Sequence, residues 1–189
     1  MSPAAYIAHM SPLAPTMLPR STPKPDAALA SAVSFAVADS DQAILACHSL
    51  MQALRPRLAD AQTFLAQVRR MQTQAYVLMA AWRQGANAGA TAELAQQPLA
   101  LAAYRISETL LYGPYLYVDD LVTSPALRGL GLGHALLQHI FALAHAQGLN
   151  RVVLDTRLDN LAAQRFYQRA GMQAQAMRFS LSLRPELKE

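Results

Sequence analysis

At 189 residues the chain fits one ordinary domain with some excess, since single domains cluster around ~100–150 residues. A hydrophobic fraction of 53% is ample for a core, charged residues make up 15%, and the net charge is +4 with an isoelectric point near 9.5. The mild positive charge suits an anionic cofactor, but the basic residues are scattered, without a Lys/Arg run or a stripe interleaved with aromatics, so nucleic acid is disfavoured as a partner. The single cysteine, Cys47, excludes an intrachain disulfide; in a helical stretch with Leu45, Leu50 and Met51, it reads as a small buried apolar residue. No segment approaches the ~20 uninterrupted apolar residues of a membrane span. Met1–Arg20 lacks the early basic region of a signal peptide, so the chain reads as cytoplasmic.

Residues 1–31 are the compositional outlier. Pro3, Pro12, Pro15, Pro19, Pro23 and Pro25 break any periodic apolar pattern, which predicts a flexible tail with later starts available at Met10 and Met17. The domain is expected over 32–189. Ser34–Ala38 is a strand candidate. Ser40 or Asp41 can cap a helix carrying Ile44, Leu45, His48, Leu50, Met51 and Leu54, which Pro56 stops. A second helix spans about Asp60–Gln74, with Phe64, Leu65, Val68 and Met71 on one face. Ala75–Trp82 is rich in strand formers, Gly85–Gln97 is a polar loop, and Pro98–Ile106 is a strand. Thr109–Pro114 turns the chain into the strong strand Tyr115–Thr123.

A loop over Ser124–Gly129 precedes a helix to about Gln147, whose stripe of Leu136, Leu137, Ile140, Leu143 and Ala144 faces a core, with Gly148 as its C-terminal cap. Arg151–Thr156 is a strand, Asn160–Ala170 a helix ended by Gly171, and Met172–Leu183 a last strand. The order β-α-α-β-β-β-α-β-α-β predicts a mixed α/β (α+β) fold: a mixed, mostly antiparallel sheet with helices on both faces.

The segment Arg128-Gly129-Leu130-Gly131-Leu132-Gly133-His134, between a strand and a helix, carries the chemistry. A glycine-rich turn opening a helix offers free backbone N–H groups and the positive end of the helix dipole to a phosphate. The dinucleotide fingerprint fails because His134 stands at its third glycine, and the P-loop fails for want of Gly-Lys-Ser/Thr. On glycine spacing alone a structural turn stays open. Arg128-x-x-Gly131-x-Gly133, however, resembles the Arg/Gln-x-x-Gly-x-Gly/Ala signature of the GNAT acetyltransferase superfamily. The preceding Leu121-Val122-Thr123-Ser124-Pro125 is similar to that family's strand end. Downstream, Asn160-x-x-Ala163-x-x-Phe166-Tyr167-x-x-x-Gly171-Met172 resembles a second family block, with Met172 in place of the usual Phe.

The resemblance implies an acetyl-CoA-dependent N-acetyltransferase without a metal. Backbone N–H groups of Arg128, Gly129, Leu130, Gly131, Leu132, Gly133 and His134 would bind pyrophosphate. Leu121, Val122 and Thr123 would pair with the pantetheine arm, and a backbone N–H there could polarise the thioester carbonyl. Tyr167 is the implied general acid, and it serves equally well as a core anchor beside Phe166. Asn160 caps a helix and is also a candidate pantetheine contact. For the base, Asp119 and Asp120 are expected on opposite faces of their strand, with Glu108 as a rival; structural or acceptor-positioning roles for both aspartates stay open. Cys47 lies far from the motif, so direct transfer in a ternary complex is expected.

No His/Cys/Asp cluster has metal-ligand spacing, because His134, His139 and His145 spread around their helix. The acceptor, a small-molecule or peptide amine, is expected in a pocket from the first two helices and the loops Gly85–Gln97 and Thr109–Pro114. A homodimer is compatible with the sequence, and no membrane partner is expected. Two alternatives stand beside this reading. A non-catalytic acyl-CoA-binding or regulatory module would keep Arg128–Gly133 without needing Tyr167. A toxin-like enzyme acting on charged tRNA, suggested by the isoelectric point alone, would bind RNA in a salt-dependent way.

Overall fold

The computed structural model describes residues 33–83 and 97–183. The expected tail over 1–31 and most of the Gly85–Gln97 loop lie outside the described residues. Strand β1 (Val33–Val37) leads to α1 (Asp41–Leu54). Of the two cap candidates, Ser40 takes the role, its Oγ accepting the Ala43 N–H at 3.2 Å. The helix ends at Leu54 because Pro56 disfavours helical backbone at the residue before it. Asp60 caps α2 (Ala61–Gln72), accepting the N–H groups of Gln62 and Thr63 at 3.0 Å each. Strand β2 (Tyr76–Arg83) follows, then the hairpin of β3 (Ala100–Thr109) and β4 (Gly113–Thr123).

A short 3₁₀ turn (Pro125–Leu127) precedes α3 (Leu132–Ala146). Gly148 ends α3 at φ 69°, its N–H reaching the His145 carbonyl while the Leu149 N–H reaches that of Ala144, both at 3.0 Å. These two bonds satisfy carbonyls that the helix end leaves open. Strand β5 (Val152–Leu154) and α4 (Leu161–Arg169) complete the described elements.

The sheet runs β1-β2-β3-β4-β5, antiparallel except for the parallel β4–β5 pair. Helices α1 and α2 cover one face, where Ile44, Cys47, Met51, Phe64 and Val68 pack on Leu78, Leu101 and Val122. Helix α3 covers the other, placing Leu136 and Ile140 against Ala102, Leu116 and Val118. Each Val, Leu, Ile, Phe or Met side chain among these, taken from water, stabilises the fold by about 1.5–3 kcal/mol. The expected architecture, a mixed and mostly antiparallel sheet between helices, is the observed one. Among the described residues no helix is long and apolar enough to cross a membrane.

One predicted element is missing. Residues 172–183 form neither strand nor helix, although the sequence has the alternation of a strand. A strand needs a neighbour to take its backbone groups, and none of the described strands pairs with this stretch. Side chains tether its first part: Arg151 donates to Gln175 Oε1 at 2.6 Å, and Arg178 to the Tyr117 hydroxyl at 2.6 Å.

Candidate active site

The glycine turn is built as the phosphate argument requires. Gly129 and Gly131 hold φ 83° and 80°, the left-handed region that other residues resist. Gly131 is the N-cap of α3, and no side chain among the described residues caps that helix. Its first N–H groups therefore stay available to an external acceptor. Gly133 meets a different demand. A Cβ on it would lie 3.0 Å from Thr123 Oγ1 and 3.7 Å from the Phe166 ring. The end of β4, the start of α3 and the face of α4 thus converge on one point. Tyr167, next to Phe166 and in edge contact with its ring at 5.2 Å, belongs to this convergence, and burial pushes its phenol pKa up. Asn160 caps α4, Oδ1 accepting the Ala163 N–H at 3.1 Å. Arg128 and Leu130 are exposed, and His134 is half-buried in the first turn of α3.

Strand β4 has two further properties. Its pairing with β5 stops at Val118–Leu154, whereas its pairing with β3 runs on to Thr123–Ala100. From Asp119 to Thr123, no strand among the described residues covers its β5 side. Between Ala103–Asp120 and Tyr104–Val118 the β3–β4 register slips by one residue, which leaves Asp119 as the extra residue of a bulge. This overturns the expected opposite orientation of the two acids. Leu116, Val118 and Leu121 face α3, while Tyr117, Asp119, Asp120 and Val122 face the α1–α2 side. The bulge resets the alternation and gives both carboxylates to the same space.

That space is a cavity of about 580 Å³. Met51, Phe64, Val68 and Met71 from α1 and α2 form its apolar wall; Asp119 and Asp120 lie on the sheet side, with Arg55 and Arg178 among its lining. Thr109–Pro114 and Glu108 do not line it, so the hairpin loop is not part of this pocket and the rival base stands apart on exposed β3. Asp120 is 13% exposed and bound by Arg55 at 2.7 Å; burial pushes its carboxyl pKa up while Arg55 opposes the shift. Arg105 holds Asp119 at 2.9 Å across the hairpin. Tyr117 donates to Asp155 at 2.5 Å, and burial followed by that bond raises its phenol to about 12. Burial, then the two aspartates, raise the Tyr76 phenol as well. Both phenols hold their protons at neutral pH.

Tyr167 does not line this cavity. Along β4, the three residues from Asp120 to Thr123 span roughly 10 Å, which separates the acids from the point where β4, α3 and α4 meet. The sequence reading missed Arg55, Arg105, Tyr117 and Arg178. Tyr117 had a signal, standing two residues before Asp119 in the same strand; the arginines had none, because their partners are fixed by tertiary register. Cys47 is fully buried in the α1 core, its thiol pushed up to about 12 by that burial. Among the described residues no group of His, Cys, Asp and Glu could hold a metal ion.

This geometry agrees with comparisons to known proteins. The model of the acetyltransferase (GNAT) family matches residues 47–172, a span holding the glycine turn, both cavity acids and Tyr167. The chain belongs to this family of acetyltransferases, whose members generally use acetyl-CoA as cosubstrate. It is also similar to the glucosamine 6-phosphate N-acetyltransferase of Trypanosoma brucei brucei, 31% identical over 67 residues that cover 35% of this chain and 44% of that relative. The match thus spans less than half of that curated relative's length. Among solved structures, an acetyltransferase of Trypanosoma brucei has TM-score 0.62 at 20% identity, over 80% of this chain and 99% of that one. The glucosamine-6-phosphate N-acetyltransferase of Arabidopsis thaliana has TM-score 0.58 at 15% identity, over 80% and 99%. At these identities the structures share the fold.

Proposed function

We propose that the chain transfers the acetyl group of acetyl-CoA to a primary amine by direct attack while both substrates are bound, with Tyr167 as general acid. The observation that carries this reading is the uncapped N-terminus of α3, opened by two left-handed glycines and lying beside the part of β4 that β5 leaves uncovered. These residues fit the cosubstrate: N–H groups over Arg128–His134 suit a pyrophosphate, and the uncovered side of Leu121–Thr123 suits an amide-bearing arm added like a strand. When bound, acetyl-CoA supplies an activated acetyl thioester.

The chain's own residues divide the remaining work. A backbone N–H near Leu121–Thr123 stabilises charge developing on the carbonyl oxygen. The half-buried Tyr167 phenol, its pKa raised above the usual ~10, keeps its proton at neutral pH and gives it to a thiolate whose conjugate acid lies near ~8.5. The acceptor occupies the cavity beside Asp119 and Asp120. Asp120, raised by burial, is a better proton acceptor than an ordinary carboxylate. Asp119, held by Arg105, orients the ammonium group as it arrives. Asn160 holds α4 in place, leaving its amide nitrogen for the arm.

Steady-state thiol release with a panel of small amines, amino acids and amino sugars tests the reading. Tyr167→Phe is expected to lower kcat by about 10²–10⁴-fold, the usual contribution of a positioned acid, while acetyl-CoA affinity stays near wild type. A kcat that survives the substitution removes Tyr167 from the chemistry.

A further inference from the structure

Among the described residues, the charged lining of the cavity consists of Arg55, Arg57 and Arg178 against Asp119 and Asp120. Both acids already have a guanidinium partner: Arg55 binds Asp120 at 2.7 Å, and Arg105, from outside the lining, binds Asp119 at 2.9 Å. Arg178 pairs at 2.5 Å with Asp155, which also stands outside the lining. Four guanidinium groups thus meet three carboxylates, and the site keeps a positive balance that repels a polycation and attracts an anion. The arginines also have donors to spare. Arg55 reaches Asp120 through Nε and Nη2, and Arg178 reaches Asp155 and Tyr117 through Nη2 alone. Those bonds leave out Nη1 of both side chains, part of a five-donor fork that fits a carboxylate or a phosphate. Charge is also graded by depth. The Arg55 and Arg178 side chains are 55% and 63% exposed, at the mouth, whereas Asp120 and Asp119 are 13% and 21% exposed and lie deeper.

We propose that the acceptor is an amine that also carries an acidic group, a carboxylate or a phosphate. Arg55, Arg57 and Arg178 bind the anion at the mouth, and the ammonium points inward to Asp119 and Asp120. This deepens the acetyl-transfer reading and rests on it for the fate of the amine. Met51, Phe64, Val68 and Met71 supply an apolar wall beside the charges, in a volume of about 580 Å³ that suits a small molecule. An α-amino acid with an aliphatic side chain meets all three demands, whereas a polyamine supplies only the ammonium.

Calorimetric titration of the full chain, with and without coenzyme A, tests it on two matched pairs: leucine against leucinamide, and phosphoethanolamine against ethanolamine. In at least one pair the acidic member is expected to bind about tenfold more tightly or better, the worth of a charged hydrogen bond; which pair shows it tells carboxylate from phosphate. Arg57→Gln and Arg178→Gln are each expected to bring that ratio toward one, and Arg178→Lys to keep part of it. A ratio of affinities is unmoved by loss of folded protein, so a misfolding variant cannot imitate the effect. Acidic members that bind no better than their neutral partners in both pairs, a ratio unchanged by both Gln variants, or spermidine as the tightest ligand each overturns the proposal. Thiol release from acetyl-CoA separates the two readings. Transfer that favours leucinamide or spermidine overturns the acidic acceptor and leaves acetyl transfer standing, whereas anion-selective binding without any thiol release supports the anion site and sinks the transfer reading.

Discussion

Gly133 concentrates three elements in one contact, so a single methyl group probes the whole junction. Gly133→Ala brings its Cβ against Thr123 Oγ1 at 3.0 Å, and overpacking of this kind typically costs about 1–3 kcal/mol. Urea denaturation should show that loss, and Thr123→Ala in the same chain should recover part of it. Additive effects would mean that the contact is not tight. Asp120 makes a prediction of opposite sign. Its pKa is raised in the fold, chiefly by burial, so the native state binds the proton more tightly than the unfolded chain. Stability therefore falls as pH rises through the interval between the unfolded and folded pKa values. Asp120→Asn, which cannot ionise, should be at least as stable as wild type at neutral pH, with the difference narrowing in acid, while acetyl transfer drops. An Asn variant that unfolds more easily at neutral pH would show that the Arg55 pair outweighs the burial cost. Cys47, fully enclosed and with its thiol raised to about 12, should resist alkylation until denaturant is added. Cys47→Ala should transfer acetyl groups at the wild-type rate within about twofold, since a step of 1.4 kcal/mol in the barrier would be tenfold. Inactivity of a folded variant would point to an acyl-enzyme instead of direct transfer.

At the scale of elements, the ends of helices were the most legible features. Gly148 adopts the left-handed backbone that closes α3, and Gly148→Ala should lower stability by about 1 kcal/mol in thermal melts; an unshifted melting temperature would mean that the cap is not a stabilising feature. Asn160 and Gly148 could be read from the sequence as caps, and Ser40 as one of two candidates with Asp41, because capping is chemistry between near neighbours. The glycine turn was legible for the same reason: left-handed φ at Gly129 and Gly131 is a local demand. The bulge at Asp119 was not, because register belongs to a pair of strands and no residue within Tyr115–Thr123 announces where β3 slips. With the bulge hidden, alternation sent Asp119 and Asp120 to opposite faces, and their common cavity with Arg55 stayed out of view. The strand expected over Met172–Leu183 failed differently. Its apolar alternation is real, but a strand is completed by a neighbour that the pattern does not contain.

Across the whole molecule, the sheet divides labour between its two faces. The α1–α2 side encloses the acid-lined cavity, while α3 anchors the other side and aims its N-terminus at the end of β4. The β5 edge stops short, so β4 is held firmly by β3 yet open where a cosubstrate arm is proposed to lie. Calorimetric titration of the wild type and Gly131→Glu with acetyl-CoA tests this account most directly. Gly131 sits at φ 80° as the N-cap of α3, so glutamate there adds backbone strain and a negative charge where a pyrophosphate is proposed to bind. Micromolar binding is expected of the wild type and none of a Gly131→Glu variant that keeps its circular dichroism. Equal binding by both would move the cosubstrate away from the glycine turn, and no binding by the folded wild type would contradict the proposed reaction itself.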